Sequence, residues 1–118
     1  MIIGVGIDLV DVARFESKLN QTEGLAERIF TNEEIGSKTQ SLAGYWAAKE
    51  ALIKALGNPT GLSFQDVKVL KDELGKPRLE LSGQTDIRAS QLGISNWHIS
   101  ISHDGGMAVA VVIAEGSN

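Results

Sequence analysis

The sequence predicts an α+β fold, in which an antiparallel sheet packs against one long helix and several short ones. Runs rich in β-branched residues alternate with helical patterns, and two pairs of these runs are separated by sequences typical of hairpin turns. One stretch rich in Ala and Leu is long enough to form the main helix. The chain has 118 residues, with no repeat and no linker-like segment. We therefore expect a single domain that covers residues 1–118.

The first half is predicted to contain one strand followed by helices. Residues 2–10 are almost all apolar, which indicates a strand buried on both faces. Asp11 is a typical N-cap, the pair Thr31 and Glu34 has the spacing of a capping box, and Ser41 precedes the longest helical pattern. The predicted helices are 11 to about 20, 25–29, 31 to about 36, and 42–56.

The second half is predicted to be rich in strands. The segments around Gly75-Lys76-Pro77 and Asp104-Gly105-Gly106 are turn sequences, and each separates two strand-like runs. Gly93 closes a short helical pattern between the two hairpins. The predicted elements are strands at 67–70 and 78–81, a helix at 84–92, and strands at 97–102 and 107–114.

Composition excludes several classes of protein. The chain has no cysteine, which excludes disulfides and thiolate metal sites and favours a cytoplasmic protein. The N-terminal apolar run is too short to span a membrane, and the net charge of −4 disfavours nucleic-acid binding. Arg14, Lys18 and Arg28 still provide a local basic patch, which we expect to bind an acidic partner.

Two segments contain charged residues in apolar surroundings. Asp8 lies in the first strand, where it is either a turn-capping residue or a metal ligand, because an unpaired carboxylate is costly there. Glu50 and Lys54 are four residues apart and share one face of the long helix, as either a surface ion pair or part of a site. Asp8, Glu50 and Lys54 together suit a divalent metal that holds a phosphorylated substrate.

Other candidates provide weaker signals. His103 ends a strand and is by itself more typical of a structural histidine, while His98 lies on the opposite strand face. The loop from Gly57 to Gly61 could offer backbone N–H groups to a phosphate, although it lacks the Gly-Lys-Ser/Thr pattern. No arrangement typical of a Ser-His-Asp triad is present in the sequence.

An ordered set of motifs resembles the holo-acyl-carrier-protein synthases, the short single-domain 4′-phosphopantetheinyl transferases. The matching tracts are spread from about residue 3 to residue 114. They are Gly6-Ile7-Asp8, Arg14-Phe15, Phe30-Thr31, Trp46-Ala47-Ala48-Lys49-Glu50-Ala51, Lys54-Ala55, Leu62-Ser63-Phe64, Asp72-Glu73-Leu74-Gly75-Lys76-Pro77 and Ser100-Ile101-Ser102-His103.

The resemblance implies a reaction, its partners and the roles of residues. Phosphopantetheine would pass from coenzyme A to a serine of apo-acyl carrier protein in fatty-acid biosynthesis, giving adenosine 3′,5′-bisphosphate. The implied enzyme is a homotrimer with the transferase fold and sites between subunits, in which Asp8 and Glu50 bind Mg²⁺ and act with Lys54 in catalysis. The implied coenzyme A-binding residues are Lys49, Lys54, Gly57, Ser102 and His103. Arg14, Lys18 and Arg28 are the implied carrier-binding residues.

Tyr45 is a departure from the family pattern. Many members have Arg or Lys at this position, where the basic group binds the 3′-phosphate of coenzyme A. The phenol of Tyr45 offers a hydroxyl without a charge. Either another residue provides this contact, or the chain discriminates less strongly between coenzyme A and its dephospho form.

Two other functions remain open from the sequence. The chain could be a non-catalytic subunit of a multienzyme complex that binds coenzyme A or another nucleotide without turning it over. It could also be a structural protein that assembles through its apolar strands. Thermal melting with and without ligands tests the hypothesis of a structural protein. Mg²⁺ and coenzyme A would raise the melting temperature of a binding protein or an enzyme, but not that of a structural protein.

Overall fold

A computed structural model describes residues 1–117 of the chain as five α-helices and five strands. The strands form two antiparallel sheets, one with the order β1-β5-β4 and one with β2-β3. In chain order the elements are β1 (Ile2–Asp11), α1 (Val12–Gln21), α2 (Leu25–Ile29), α3 (Asn32–Ile35), α4 (Thr39–Ala55), a 3-10 turn (Phe64–Asp66), β2 (Val67–Lys71), β3 (Pro77–Leu81), α5 (Gly83–Gln91), β4 (Ile94–Asp104) and β5 (Met107–Gly116).

The core lies between α4 and the inner face of the three-stranded sheet. Small buried residues of the central strand β5 face α4, and a row of buried alanines on α4 packs against them. Small side chains on both surfaces let the helix axis approach the sheet closely. The residues concerned are Ala108, Ala110, Val112 and Ala114 on β5, and Ala47, Ala48, Ala51 and Ala55 on α4.

Most of the predicted elements are confirmed. The fold is α+β, Asp11 caps α1 by accepting a hydrogen bond from Arg14 N at 3.0 Å, and at the predicted capping box Thr31 N donates to Glu34 Oε1 at 2.8 Å. The long helix begins at Thr39, so the expected cap at Ser41 is wrong: Lys38 is the N-cap, without a side-chain hydrogen bond. Strand β4 extends beyond the predicted residues at both ends, and the 3-10 turn was not predicted.

The expectation that β1 is buried on both faces is wrong for a single chain. Strand β1 lies at an edge of the sheet, with its inner face on α4 and its outer face uncovered. Val5, Ile7 and Leu9 on the outer face are each about 60% exposed, at 59%, 60% and 60%. Among residues 1–117, no helix is both long and apolar enough to cross a membrane.

Candidate active site

Two glycines in β1 allow α4 to lie against the strand. A Cβ atom at Gly6 would collide with the carbonyl oxygen of Ala51, and one at Gly4 with the carbonyl oxygen of Ala55. Glycine is therefore the residue that permits this close backbone approach. Asp8 is the next residue on the same strand face. The contact consequently brings the carboxylate of Asp8 beside the helical segment that contains Glu50 and Lys54.

Asp8 and Lys54 form an ion pair at this junction. The distance from Lys54 Nζ to Asp8 Oδ1 is 3.0 Å, and the same ammonium donates to the carbonyl oxygen of Ile7 at 2.9 Å. The side chain of Lys54 is 43% exposed, whereas that of Asp8 is 19% exposed. The ammonium is thus held by one strand but stays within reach of solvent and of a bound anion.

Glu50 lies partly buried beside this pair. Burial raises the pKa of the Glu50 carboxyl, the negative charge of Asp8 raises it further, and the positive charge of Lys54 opposes both. The carboxylate form of Glu50 is therefore less favoured here than it is in water. Both an added cation and a proton would relieve the repulsion between Glu50 and Asp8.

Asp8 and Glu50 open onto a cavity of about 310 Å³. Arg14 and Lys18 of α1 also line it, so two predicted metal ligands and two predicted carrier-binding cations share one cavity. The cavity is therefore lined by groups of both charges. The lining is completed by Leu9, Val10, Asp11, Phe15 and Trp46.

A second, more apolar cavity of about 430 Å³ adjoins the first, and we name it the aromatic groove. The rings of Phe15 and Trp46 stack with centroids 6.2 Å apart, and Trp46 meets Phe64 edge to face at 4.7 Å. Lys18 and Arg28 line the same groove. The sequence indicated the cations but not the aromatic wall, because Phe64 lies in the unpredicted 3-10 turn. The groove residues are Phe15, Lys18, Leu25, Arg28, Ile29, Trp46 and Phe64.

Lys49 does not face this site, so the expectation that it binds coenzyme A is wrong. Its ammonium is fully buried and pairs with Glu34 Oε1 at 2.8 Å. The ammonium also donates to three backbone carbonyl oxygens, so it has no hydrogen left for a ligand. Burial lowers the pKa of Lys49, and the contact with Glu34 opposes this effect.

Ser102 and His103 lie on β4, away from the carboxylates, and on opposite faces of the strand. His103 Nε2 lies 2.9 Å from the carbonyl oxygen of Gln40, at the start of α4. Gly44 leaves room for this imidazole, since a Cβ there would lie 3.0 Å from His103 Nε2. Within one chain, neither predicted coenzyme A residue joins Asp8 and Glu50.

Gly57 ends α4 with a positive φ of 88°, which explains the glycine. The N–H of Gly57 donates to the carbonyl oxygen of Lys54 at 3.0 Å, and the N–H of Asn58 donates to the carbonyl oxygen of Ile53. The first two N–H groups of this loop are therefore used by the helix end. They do not provide the free donors that phosphate binding at Gly57 requires.

Tyr45, where the chain departs from the family pattern, lies beside a cation from another element. Lys71 Nζ at the end of β2 is 5.4 Å from the centroid of the Tyr45 ring. Tyr45, Lys71 and His103 line a cavity of about 180 Å³. No pattern in the sequence indicated this pairing, because the turn of the β2–β3 hairpin decides where Lys71 lies.

The site suits a divalent cation by the chemistry of its donors. Asp8 and Glu50 provide carboxylate oxygens, and burial together with the negative charge of Asp8 raises the pKa of Glu50. Residues 1–117 contain no cluster of three or more histidine or acidic side chains able to hold a metal. Magnesium is commonly bound by one or two carboxylates, with substrate phosphates and water as the other ligands. The two carboxylates therefore fit Mg²⁺ in the presence of a phosphorylated substrate.

Comparison with known proteins identifies relatives that match almost the whole chain. Residues 4–112 match the family model of the 4′-phosphopantetheinyl transferase superfamily. The holo-[acyl-carrier-protein] synthase of Streptomyces griseus is 51% identical over 98% of this chain and 100% of its own length.

Solved structures of holo-[acyl-carrier-protein] synthases share the fold. The Helicobacter pylori protein in complex with coenzyme A gives a TM-score of 0.82 at 37% identity, covering 94% of this chain and 99% of its own. The Bacillus anthracis protein in complex with CoA (3′,5′-ADP) gives 0.80 at 38% identity, covering 99% of each chain. The chain belongs to the 4′-phosphopantetheinyl transferase superfamily, within the holo-[acyl-carrier-protein] synthases.

Proposed function

We propose that this protein transfers 4′-phosphopantetheine from coenzyme A to a serine of apo-acyl carrier protein, in fatty-acid biosynthesis. The products are holo-acyl carrier protein and adenosine 3′,5′-bisphosphate. The observation that supports this function best is the junction of β1 and α4, where Asp8 and Glu50 line one cavity and Lys54 forms an ion pair with Asp8. Relatives that bind coenzyme A have the same fold.

The reaction is a displacement at phosphorus. The serine oxygen forms a bond to the phosphorus that bears the pantetheine arm, and the bond from that phosphorus to the bridging oxygen of the diphosphate breaks. The electron pair leaves with the bridging oxygen on adenosine 3′,5′-bisphosphate. Negative charge therefore grows on the leaving group, and the site has to stabilise it there.

Lys54 is suited to stabilise this charge. Its ammonium is anchored to Asp8 and to the backbone of β1, yet almost half of the side chain remains exposed. This partly exposed ammonium can therefore contact phosphate oxygens while it remains bonded to the strand. Mg²⁺, when bound by Asp8 and Glu50, supplies further charge neutralisation at the diphosphate.

Glu50 is the group we assign as acceptor of the serine proton. Its carboxyl lines the cavity into which we expect the carrier's serine to enter. Asp8, next to it, is already paired with Lys54 at 3.0 Å. Two carboxylates in different environments thus take different roles, with Asp8 as a fixed ligand and Glu50 as ligand and base.

We propose that the working enzyme is a homotrimer with its sites between subunits. The outer row of Val5, Ile7 and Leu9 pairs with Ile113, Val111 and Val109 of β5, which makes a continuous apolar face. Contiguous apolar surface of this kind is usually covered by a partner. In the proposed assembly, a residue of β4 from a second copy, Ser102 or His103, would approach the carboxylates of the first.

We propose that the carrier protein binds along α1 and the aromatic groove. Arg14 and Lys18 line the cavity with Asp8 and Glu50, and Arg28 lines the groove together with Lys18. Cations around an apolar groove suit an acidic amphipathic helix of the partner. Docking there would direct the partner's serine towards Glu50. A cysteine-free chain is compatible with the cytoplasm, where we place the reaction.

The alternative is a subunit that binds coenzyme A without turnover, and the site does not favour it. Asp8, Glu50 and Lys54 are all present and mutually placed for chemistry. The test is to incubate the protein with Mg²⁺, coenzyme A and apo-acyl carrier protein and to measure the carrier's mass. Addition of phosphopantetheine supports the enzyme. Coenzyme A binding with an unchanged carrier mass supports the alternative, and omission of Mg²⁺ tests the metal requirement.

A further inference from the structure

The buried ion pair of Lys49 and Glu34 has no part in the proposed chemistry. Both side chains are almost completely inaccessible, at 0% and 1% exposure. The ammonium of Lys49 donates to the carbonyl oxygens of Ile29 at 2.9 Å, Phe64 at 3.0 Å and Val67 at 2.6 Å. An ion pair with so many backbone partners is a specific arrangement rather than a source of stability alone.

Glu34 extends the same network to further backbone groups. Its Oε1 accepts a hydrogen bond from Thr31 N at 2.8 Å, and its Oε2 accepts one from Val69 N at 2.7 Å. The pair therefore ties α4 to the end of α2, to the start of α3 and to the segment that leads into β2. These segments lie outside the three-stranded sheet and are not held by its strand pairing.

Two residues whose carbonyl groups bind Lys49 are also walls of the aromatic groove. Ile29 and Phe64 line the groove with their side chains, and Arg28 precedes Ile29 in the chain. Lys49 itself directly precedes Glu50 in α4. One buried ammonium thus connects the helix that contains Glu50 to the two wall segments that, under the proposed function, meet the carrier.

We propose that Lys49, paired with Glu34, is a positioning residue for recognition of the carrier protein. It holds the walls at Ile29 and Phe64 in fixed register with Glu50, so that a docked carrier presents its serine at the site. This inference rests on the proposed function. It differs from a general structural role because we expect the effect to be confined to the carrier: the coenzyme A candidates Lys54 and His103 form their hydrogen bonds with Ile7, Asp8 and Gln40, outside this network.

The test compares two variants with the wild-type protein. Lys49→Met keeps an apolar stem but leaves Glu34 buried without its partner, so it will be strongly destabilised. The double variant Glu34→Gln/Lys49→Met buries no charge and keeps a carbonyl acceptor at position 34, and it decides the question if the single variant does not fold. Calorimetry measures Kd for apo-acyl carrier protein, and separately for coenzyme A with Mg²⁺, followed by kcat and KM for both substrates.

The control is Val112→Ala, which opens the core in β5 at a residue that is 0% exposed and lines neither cavity. We expect the double variant to bind the carrier at least tenfold more weakly, with the Kd for coenzyme A changed less than twofold. The control should lower the melting temperature but keep both Kd values. A folded double variant with unchanged carrier affinity, or with equal losses for both ligands, overturns the inference. Wild-type protein that modifies no carrier contradicts the proposed function instead.

Discussion

Replacement of Gly6 by Ala should separate the two halves of the site. The new Cβ would collide with the carbonyl oxygen of Ala51 and would lie 2.9 Å from Ala55 N. Ordinary contact needs about 3.5 Å, so α4 must retreat from β1 by at least about 0.6 Å, and further at the carbonyl. Overpacking of this kind costs about 1–3 kcal/mol of stability. Misplacement of catalytic groups by about 1 Å lowers rates on the order of 100-fold.

The assay is steady-state transfer to apo-carrier, with the fold checked by thermal melting. The matched control is Gly36→Ala, since Gly36 has an ordinary φ of −82° and nothing within 4 Å of an added Cβ. We expect kcat/KM to fall about 100-fold in Gly6→Ala, while Gly36→Ala keeps wild-type activity. A folded Gly6→Ala protein with normal kcat/KM would refute the view that the β1–α4 contact sets the distance between Asp8 and Glu50.

Four further predictions test other parts of the account. Because folding raises the pKa of Glu50, ionisation of this carboxyl destabilises the folded state as pH rises through that pKa. Above this pH, Glu50→Gln should therefore have a higher melting temperature than the wild type. The variant should also lose the increase in melting temperature caused by Mg²⁺, and it should transfer phosphopantetheine about 10²–10⁴-fold more slowly. An unchanged Mg²⁺ shift would contradict the metal assignment. If the protein forms the proposed trimer, Ile7→Lys should convert it to monomers in sedimentation analysis, and persistence of trimers would exclude the outer face as the interface. Arg28→Glu should weaken carrier binding about tenfold at low salt and by a smaller factor at high salt. The control Lys38→Glu, at the exposed start of α4, should leave carrier binding unchanged. Equal effects of the two substitutions would argue against a local docking patch. Lys71→Ala should reduce the preference for coenzyme A over dephospho-coenzyme A, measured as a ratio of kcat/KM values, if Lys71 supplies the charge that Tyr45 lacks.

The central group of the site could be predicted from the sequence because its spacing is local. Glu50 and Lys54 share a helix face by their separation of four residues. Asp8 stands out as a carboxylate in an apolar strand, which is costly without a partner. In the structure Asp8 forms an ion pair with Lys54, and the pKa of Glu50 is raised by burial and by the charge of Asp8. The role of Gly4 and Gly6, which allow the strand and the helix to approach closely, became clear only from the three-dimensional structure.

Lys49 could not be assigned from the motif alone. It is adjacent to Glu50 but about 100° away around the helix, so it points into a different environment. Its partner Glu34 was identified only as part of a capping box, and its second oxygen serves Val69 from a distant segment. Tertiary packing of α3 and β2 decides that Lys49 is a buried structural cation.

The outer face of β1 was misjudged for a different physical reason. A continuous apolar run indicates burial, but it does not distinguish the chain's own core from the surface of another copy. Val5, Ile7 and Leu9 remain exposed in the single chain and fit the proposed assembly. The separation of Ser102 and His103 from Asp8 within one chain also fits the proposed assembly, in which the site lies between subunits.

The most direct test of the account is the mass of apo-acyl carrier protein after incubation with the wild-type protein, coenzyme A and Mg²⁺. We expect the mass to increase by one phosphopantetheine group per carrier and adenosine 3′,5′-bisphosphate to appear in equal amount. Folded Asp8→Ala and Glu50→Ala proteins should leave the carrier unmodified. An unmodified carrier with the wild-type protein, or full modification with either variant, would contradict the assignment of this site as the transferase centre.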